Sequence, residues 1–224
     1  MAELTLYIGN RSYSSWSLRP WLLLKHAGVA FDEVMIPLRG PGQRTTEIQR
    51  HSPSGKVPAL KHGALTVWES LAIAEYVAEL CPEAKLWPDA RDARAVARAV
   101  SAEMASSFAA LRTALPMNVR RKIQGVAITE AASQDIARVQ SIWGDCRARF
   151  GQEGEFLFGR FSAADAMYAP VATRFDTYGV ELDAVSRRYV ESILRLPAMQ
   201  EWIAKAREEP HFIEEYEAIG VVGK

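Results

Sequence analysis

Short apolar runs separated by turn residues fill the first 81 positions of this chain, and a three-and-four apolar spacing fills the rest. Leu4 to Gly9 (LTLYIG) is almost wholly apolar, which predicts a short buried strand ending at Gly9-Asn10. Residues 17 to 28 read as a helix: Leu18, Leu22 and Leu23 share a face, and Gly28 closes the run as its C-terminal cap. Pro20 falls in the first turn, where a missing N–H is tolerated. Phe31 to Pro37 (FDEVMIP) predicts a second strand, and Gly40, Pro41 and Gly42 a loop into a weak, polar helical stretch near residues 44 to 51. VPALK and ALTVW flank His62-Gly63, a hairpin signal. Ser70 is placed to cap a helix whose buried face is Leu71, Ile73, Ala74, Val77 and Leu80.

Pro82, Pro88 and the polar residues between them predict a linker over 82–90. Everything beyond reads as helical. Val96, Val100, Met104, Phe108, Leu111 and Leu115 recur at three and four, and a second helix from near Thr129 carries Ile136, Val139, Trp143, Cys146 and Phe150. Ser162-Ala-Ala-Asp165 is a variant capping box before an apolar run. Pro170 lies inside that run, where a proline costs roughly 3 kcal/mol unless tertiary contacts offset it. Two more helices fit residues 184 to 195 and 197 to 208. The expected architecture is a small α/β domain over 1–81, of order β-α-β-α-β-β-α, followed by an all-helical domain over 91–224.

Charge narrows the function. Lys plus Arg equals Asp plus Glu, 27 each, so nothing electrostatic argues for a nucleic-acid or anionic-membrane partner. Arg120-Arg121-Lys122 reads as a solvated helix end. Acidic Glu3 precedes the first strand where a signal peptide would carry basic residues, and no stretch is long and apolar enough to span a membrane, so a cytoplasmic protein is expected. Cys81 and Cys146 form no Cys-x-x-Cys pair, consistent with a reducing compartment, and Cys146 falls on a helical core face. His26, His51, His62 and His211 have no metal-ligand spacing, so no metal is expected.

The candidate chemistry lies between the first strand and the first helix, in NRSYSSWSLRPWLLLK, residues 10 to 25. Ser12, Ser14, Ser15 and Ser17 are interleaved there with Tyr13 and Trp16. Ser14-x-x-Ser17 has the spacing of a redox cysteine pair with oxygen in place of sulfur. Hydroxyls carry no electrons between disulfides, but they donate hydrogen bonds to a sulfur brought from outside. An ordinary thiol has a pKa of about 8.5 and is mostly protonated at neutral pH. A hydroxyl donor and the positive end of a helix both favour its thiolate. The bland alternative is capping: at least one of these serines satisfies the first amides of the helix, with Ser17 a candidate.

Four motifs in this order, SSWSLR (14–19), KVPAL (56–60), WESLAIAEY (68–76) and FSAADA (161–166), resemble the cytosolic glutathione transferase family across essentially the whole chain. SSWSLR resembles the zeta-class signature SSCSWR, with Trp16 replacing its cysteine, while the WES motif looks closer to other serine-type classes. The resemblance implies a thioredoxin-like N-terminal domain, a cis Val57–Pro58 bond, glutathione as co-substrate and a homodimer. It also implies that one serine of the loop binds the thiolate. Counting back from Arg19 selects Ser14, the leading candidate; counting forward from the strand selects Ser12, because the loop is two residues longer than the zeta pattern. Ser15 is a third candidate, and Tyr7 matches the tyrosine-type classes but sits inside a strand, which favours burial.

Glu69 and Ser70 match the family pair that holds the γ-glutamyl end of glutathione, carboxylate to α-ammonium and hydroxyl to α-carboxylate. Val57 would pair its backbone with the cysteinyl amides, and Lys56, where the zeta pattern has Gln, would reach the glycyl carboxylate. Met104, Ser107, Phe108 and Arg174 would border the second-substrate pocket, with helical core the competing reading for Met104 and Phe108; Asp165 reads as structural. The leading activity is conjugation of glutathione to an electrophile. A runner-up is a cis–trans isomerase of maleylacetoacetate type, although that class's substrate-carboxylate arginine has no counterpart at the matching spacing after Pro170, Arg174 lying nearer. A third is a non-catalytic member binding an apolar ligand or a protein, against which Ser14, Glu69 and Ser70 argue.

Overall fold

A computed structural model of the chain describes residues 3–38 and 46–220, so the Gly40-Pro41-Gly42 loop lies outside the described residues. The first apolar run forms strand β1 (Leu4–Ile8), followed by helix α1 (Ser15–His26) and strand β2 (Asp32–Met35). Helix α2 (Thr46–His51), strands β3 (Ala59–His62) and β4 (Leu65–Trp68) and helix α3 (Ser70–Leu80) complete the N-terminal region. The sheet order is β2-β1-β3-β4. β1 pairs parallel with β2, Thr5 opposite Asp32, and antiparallel with β3, Tyr7 opposite Ala59. β3 and β4 form the expected hairpin around Gly63-Ala64, one residue later than the turn signal, with His62 opposite Leu65.

Alternation along β1 splits the apolar residues between two faces. Leu4, Leu6 and Ile8 join Leu18, Leu22, Leu60, Ile73 and Val77 in the main core, on the face covered by α1 and α3. Tyr7 and Ala59 pack on the other face with Ile36 and Ile48 of α2. Tyr7 is buried and stacks on His51 at 4.2 Å between ring centroids, which fits burial. α1 ends with the Ala27 N–H bonded to the Leu23 carbonyl, and Gly28 follows at φ 66°, the left-handed position that stops a helix. The Val57–Pro58 bond is cis.

A 3₁₀ turn over Pro82–Ala84 leads into the helical region. Its helices are α4 (Arg91–Ser106), α5 (Ala109–Ala114), α6 (Glu130–Phe150), α7 (Ala163–Tyr178), α8 (Ala184–Arg195), α9 (Pro197–Glu208) and the short α10 (Glu214–Glu217). α7 is buried almost all round, and its alanines Ala166, Ala169 and Ala172 let α1, α4 and α8 approach it. Contact between α1 and α7 makes the core continuous from sheet to helices. Among the described residues no helix is long and apolar enough to cross a membrane.

Three expectations change. The spacing from Val96 to Leu115 is not one helix: Phe108 adopts φ 62° and separates α4 from α5. The apolar rhythm survives the break because Phe108 and Leu111 are still buried, and burial rather than local periodicity sets which side faces the core. The chain between Leu115 and Thr129 is irregular, not helical. Ser70 is the first residue inside α3, and Glu69 occupies the cap position without capping through its side chain. Cys146 is a core thiol, 1% exposed and pushed up to about 12, by burial first and then by the Asp165 and Asp145 carboxylates.

Candidate functional site

β1 delivers Gly9 to a crowded point where a Cβ would lie 2.7 Å from Leu38 Cδ1, so glycine lets the loop pass. Asn10 then makes the turn: its carbonyl accepts from the Tyr13 and Ser14 amides at 3.1 and 2.8 Å, and its Oδ1 accepts from the Leu38 amide at 2.6 Å. The chain enters α1 with Ser14, not Ser17, as the N-cap, its Oγ accepting from the Ser17 amide at 3.3 Å. Ser17 Oγ accepts from the Gly9 amide at 3.0 Å and lies 2.8 Å from Ser14 Oγ. With one lone pair of Ser17 engaged by Gly9, its hydroxyl proton is free to point at Ser14. Either hydroxyl of this pair can be the donor; where Ser17 donates, Ser14 accepts twice and keeps its own proton to give. Donors feeding into a hydroxyl strengthen the bond that hydroxyl donates in turn.

The other two serines point elsewhere. Ser12 is fully buried with no partner for its hydroxyl, while its carbonyl accepts from the Val119 amide at 3.3 Å. Ser15 Oγ accepts from Arg174 Nη2 at 3.4 Å. Arg174 is itself buried and donates to the Leu115 and Pro170 carbonyls at 2.8 and 3.1 Å.

Arg19, Arg112 and Arg174 form a cationic cluster beside the loop that the sequence pattern does not announce. Arg19 is 1% exposed, its Nε and Nη1 lack partners, and its guanidinium stacks over the Trp16 ring at 4.2 Å. Burial first, then the charges of Arg174 and Arg112, lower Arg19 to about 9. Burial and Arg112 likewise lower Arg174 to about 10. Arg112 approaches the same indole at 5.5 Å. All three remain cations at neutral pH, so the start of α1 sits in a positive field from the helix and from the arginines together. Trp16 at i−3 from Arg19 was the one sequence cue to a stacked pair; Arg112, on a helix far along the chain, left none.

Lys56, Val57 and Glu69 come together with Trp16, Ser54 and Pro58 around a cleft of about 250 Å³. Glu69 is exposed and held at φ 69°, a left-handed backbone for a residue with a side chain. Strain of this kind costs on the order of 1–3 kcal/mol and gathers at functional sites. Ser70 is buried behind it, its hydroxyl 4.0 Å from Met167 Sδ. Of the second-substrate candidates, Met104 and Phe108 lie in the core, Ser107 is exposed at the end of α4, and Arg174 reaches Ser15.

Residues 13–80 match the family described as glutathione S-transferase, N-terminal domain, and residues 88–205 match glutathione S-transferase, C-terminal domain. The chain belongs to the glutathione S-transferase family. Within that family it is 39% identical to a maleylacetoacetate isomerase of Mus musculus over 109 residues, 48% of this chain and 50% of that protein. The match thus spans half the length of that relative. Identity is 25% over 207 residues, 89% of this chain and 90% of the relative, to glutathione S-transferase Z2 of Arabidopsis thaliana. A glutathione transferase homologue from Burkholderia GL BGR1, solved with bound glutathione, superimposes with a TM-score of 0.68 at 26% identity, covering 92% of this chain and 98% of that one. These matches bear out the expected fold: a thioredoxin-like N-terminal part and an all-helical C-terminal part.

Proposed function

We propose that this glutathione S-transferase family member binds glutathione in the cleft beside Trp16 and conjugates its sulfur to a small electrophile, with Ser14 as the hydroxyl that stabilises the thiolate. The observation that carries the reading is the arrangement at the start of α1: Ser14 caps the helix and shares a hydrogen bond with the Ser17 hydroxyl, and Trp16 in the same turn lines a cleft with Lys56, Val57 and Glu69. Glu69 meets the α-ammonium of the γ-glutamyl end, Ser70 and the start of α3 meet its α-carboxylate, Val57 pairs with the cysteinyl amides, and Lys56 faces the glycyl carboxylate. Ser12 and Ser15 support the loop, Ser15 as a partner of Arg174.

The thiol proton leaves to solvent, the thiolate attacks the electrophilic carbon, a C–S bond forms, and the leaving group departs with its bonding pair. Lowering the thiol pKa by about two units needs about 2.7 kcal/mol of differential stabilisation, within reach of one charge-assisted hydrogen bond in a positive field. Division at a linker over 82–90, a homodimer and a cytoplasmic location belong to the same reading.

A second reading, glutathione-dependent cis–trans isomerisation of maleylacetoacetate type, is favoured by the likeness to the Mus musculus maleylacetoacetate isomerase and by the zeta-like loop. Calorimetry with glutathione, followed by turnover assays on aryl halides, epoxides, peroxides and maleyl compounds, separates these. Micromolar to millimolar binding with turnover of a halide or epoxide supports the transferase, and turnover confined to the maleyl compound supports the isomerase. Absence of glutathione binding removes both and leaves a non-catalytic member of the fold.

A further inference from the structure

Beyond the serines, the loop before α1 is also held by the far end of the chain. Trp202 Nε1 donates to the Arg11 carbonyl at 2.9 Å. Glu209, 7% exposed, accepts from the Arg11 amide at 2.9 and 3.2 Å and from Arg11 Nη1 at 2.9 Å. Next along the loop, the Tyr13 hydroxyl donates to Glu217 Oε1 at 2.6 Å, and the same oxygen accepts from Asn118 Nδ2 at 2.8 Å. The Tyr13 ring lies 5.7 Å from that of Tyr216, and burial together with Glu217 raises the Tyr13 pKa, so the proton stays on the phenol.

α10, which carries Glu217, buries none of its residues. A helix of four residues with no buried side chain adds little to the core, yet it places a carboxylate on the residue directly before Ser14. We infer that Glu217, acting through Tyr13, is a positioning residue for Ser14: it fixes the turn that holds the serine hydroxyl against Ser17 and toward the glutathione sulfur. Tyr13 and Ser14 share one turn, both amides donating to the Asn10 carbonyl. A tyrosine freed from Glu217 releases that turn, and small misplacements of a catalytic donor are expensive. This inference rests on the thiolate-binding reading of Ser14.

The test uses the full chain, with the ultraviolet absorbance of bound glutathione thiolate followed against pH. In Glu217→Leu and in Tyr13→Phe the bound-thiol pKa should rise by about half to one unit, and neutral-pH kcat should fall about three- to tenfold. KM for glutathione should stay within about twofold, because the γ-glutamyl and glycyl ends are held elsewhere. The double variant should be no worse than Glu217→Leu alone, which already breaks the Tyr13 bond and also loses the Asn118 and Arg121 contacts of Glu217. Glu217→Gln keeps a carbonyl acceptor and should restore most of the loss. Tyr13→Phe deletes one hydroxyl only and serves should Glu217→Leu fold poorly, with Ile193→Val in the α8 core as the control for general destabilisation. A wild-type thiolate titration that is unchanged in both single variants overturns the inference alone, as do additive losses in the double variant. A wild-type protein that binds glutathione without ionising its thiol overturns the reading of Ser14 and this inference with it.

Discussion

Two helices of this protein open on a buried serine, α1 at Ser14 and α7 at Ser162, and the two serines end in different chemical states. At α7 the Ser162 hydroxyl donates to Asp165 Oδ2 at 2.8 Å, and its amide donates to the same oxygen at 2.8 Å. Asp165 also collects the Leu157 amide and the Tyr189 hydroxyl on Oδ1, both at 3.0 Å. The serine's proton is consumed and the junction is closed. At α1 the third position holds Ser17 instead of an acid, and the Ser14 and Ser17 hydroxyls share one hydrogen bond that either can donate, Ser17 Oγ also accepting from the Gly9 amide. A serine before a helix is therefore structural when an acid follows three residues later. Where a hydroxyl follows instead, no acid is there to consume the serine's proton.

The sharpest way to break this contrast is at its closed end. Asp165→Ala strands the Leu157 and Ser162 amides and two hydroxyls and should cost about 3–4 kcal/mol, read as a shifted urea midpoint. A loss under about 1 kcal/mol would mean the junction is not held as described.

pH probes the same carboxyl. Burial, outweighing four hydrogen bonds that favour the charge, raises Asp165 to about 6. A raised carboxyl binds its proton more tightly folded than unfolded, so its contribution is fully present below the unfolded pKa and is lost as pH rises through about 6. Stability of the wild type relative to Asp165→Asn should fall on the order of 2 kcal/mol between about pH 4 and pH 7. Glu33 and Glu201, whose pKa values are lowered, pull the other way in both proteins and cancel in the difference. A flat or rising difference would show that the four hydrogen bonds outweigh burial.

At the open end, Ser14→Ala should raise the bound-thiol pKa by about one to two units and lower neutral-pH turnover about ten- to a hundredfold, with partial recovery at higher pH. Loss of the cap should also cost about 1 kcal/mol of stability. An unchanged thiolate titration would move the role to Ser15 or Ser12. The smallest effect belongs to Ser17→Ala, which leaves Ser14 in place but removes the donor behind it. A rise of about half a pKa unit, with turnover down about threefold, is expected, and Ser17→Thr should restore it. If Ser17→Ala matches Ser14→Ala in size, the two hydroxyls act as one unit.

Much of this was legible in the linear pattern because it is governed by nearest neighbours on a strand or helix. β1, α3, α8 and α9 follow from period and punctuation, and the Ser162–Asp165 box from residues one helical turn apart. Where local and global preferences parted, the pattern misled. Phe108 breaks a helix that its spacing continues, because its ring is drawn into the core. Ser70 yields the cap position to a strained Glu69, whose conformation no propensity would choose.

By itself, then, the sequence determined the order of the N-terminal elements, a buried first strand and a serine-rich entrance to the first helix, all properties of side-chain type and short-range spacing. Only the tertiary structure decided what each serine of that entrance meets. That depends on the Gly9 amide behind Ser17, on Arg174 against Ser15, and on Glu217 holding Tyr13. These partners are remote in sequence, and a hydrogen bond is decided by tenths of an ångström in the folded chain rather than by residue identity.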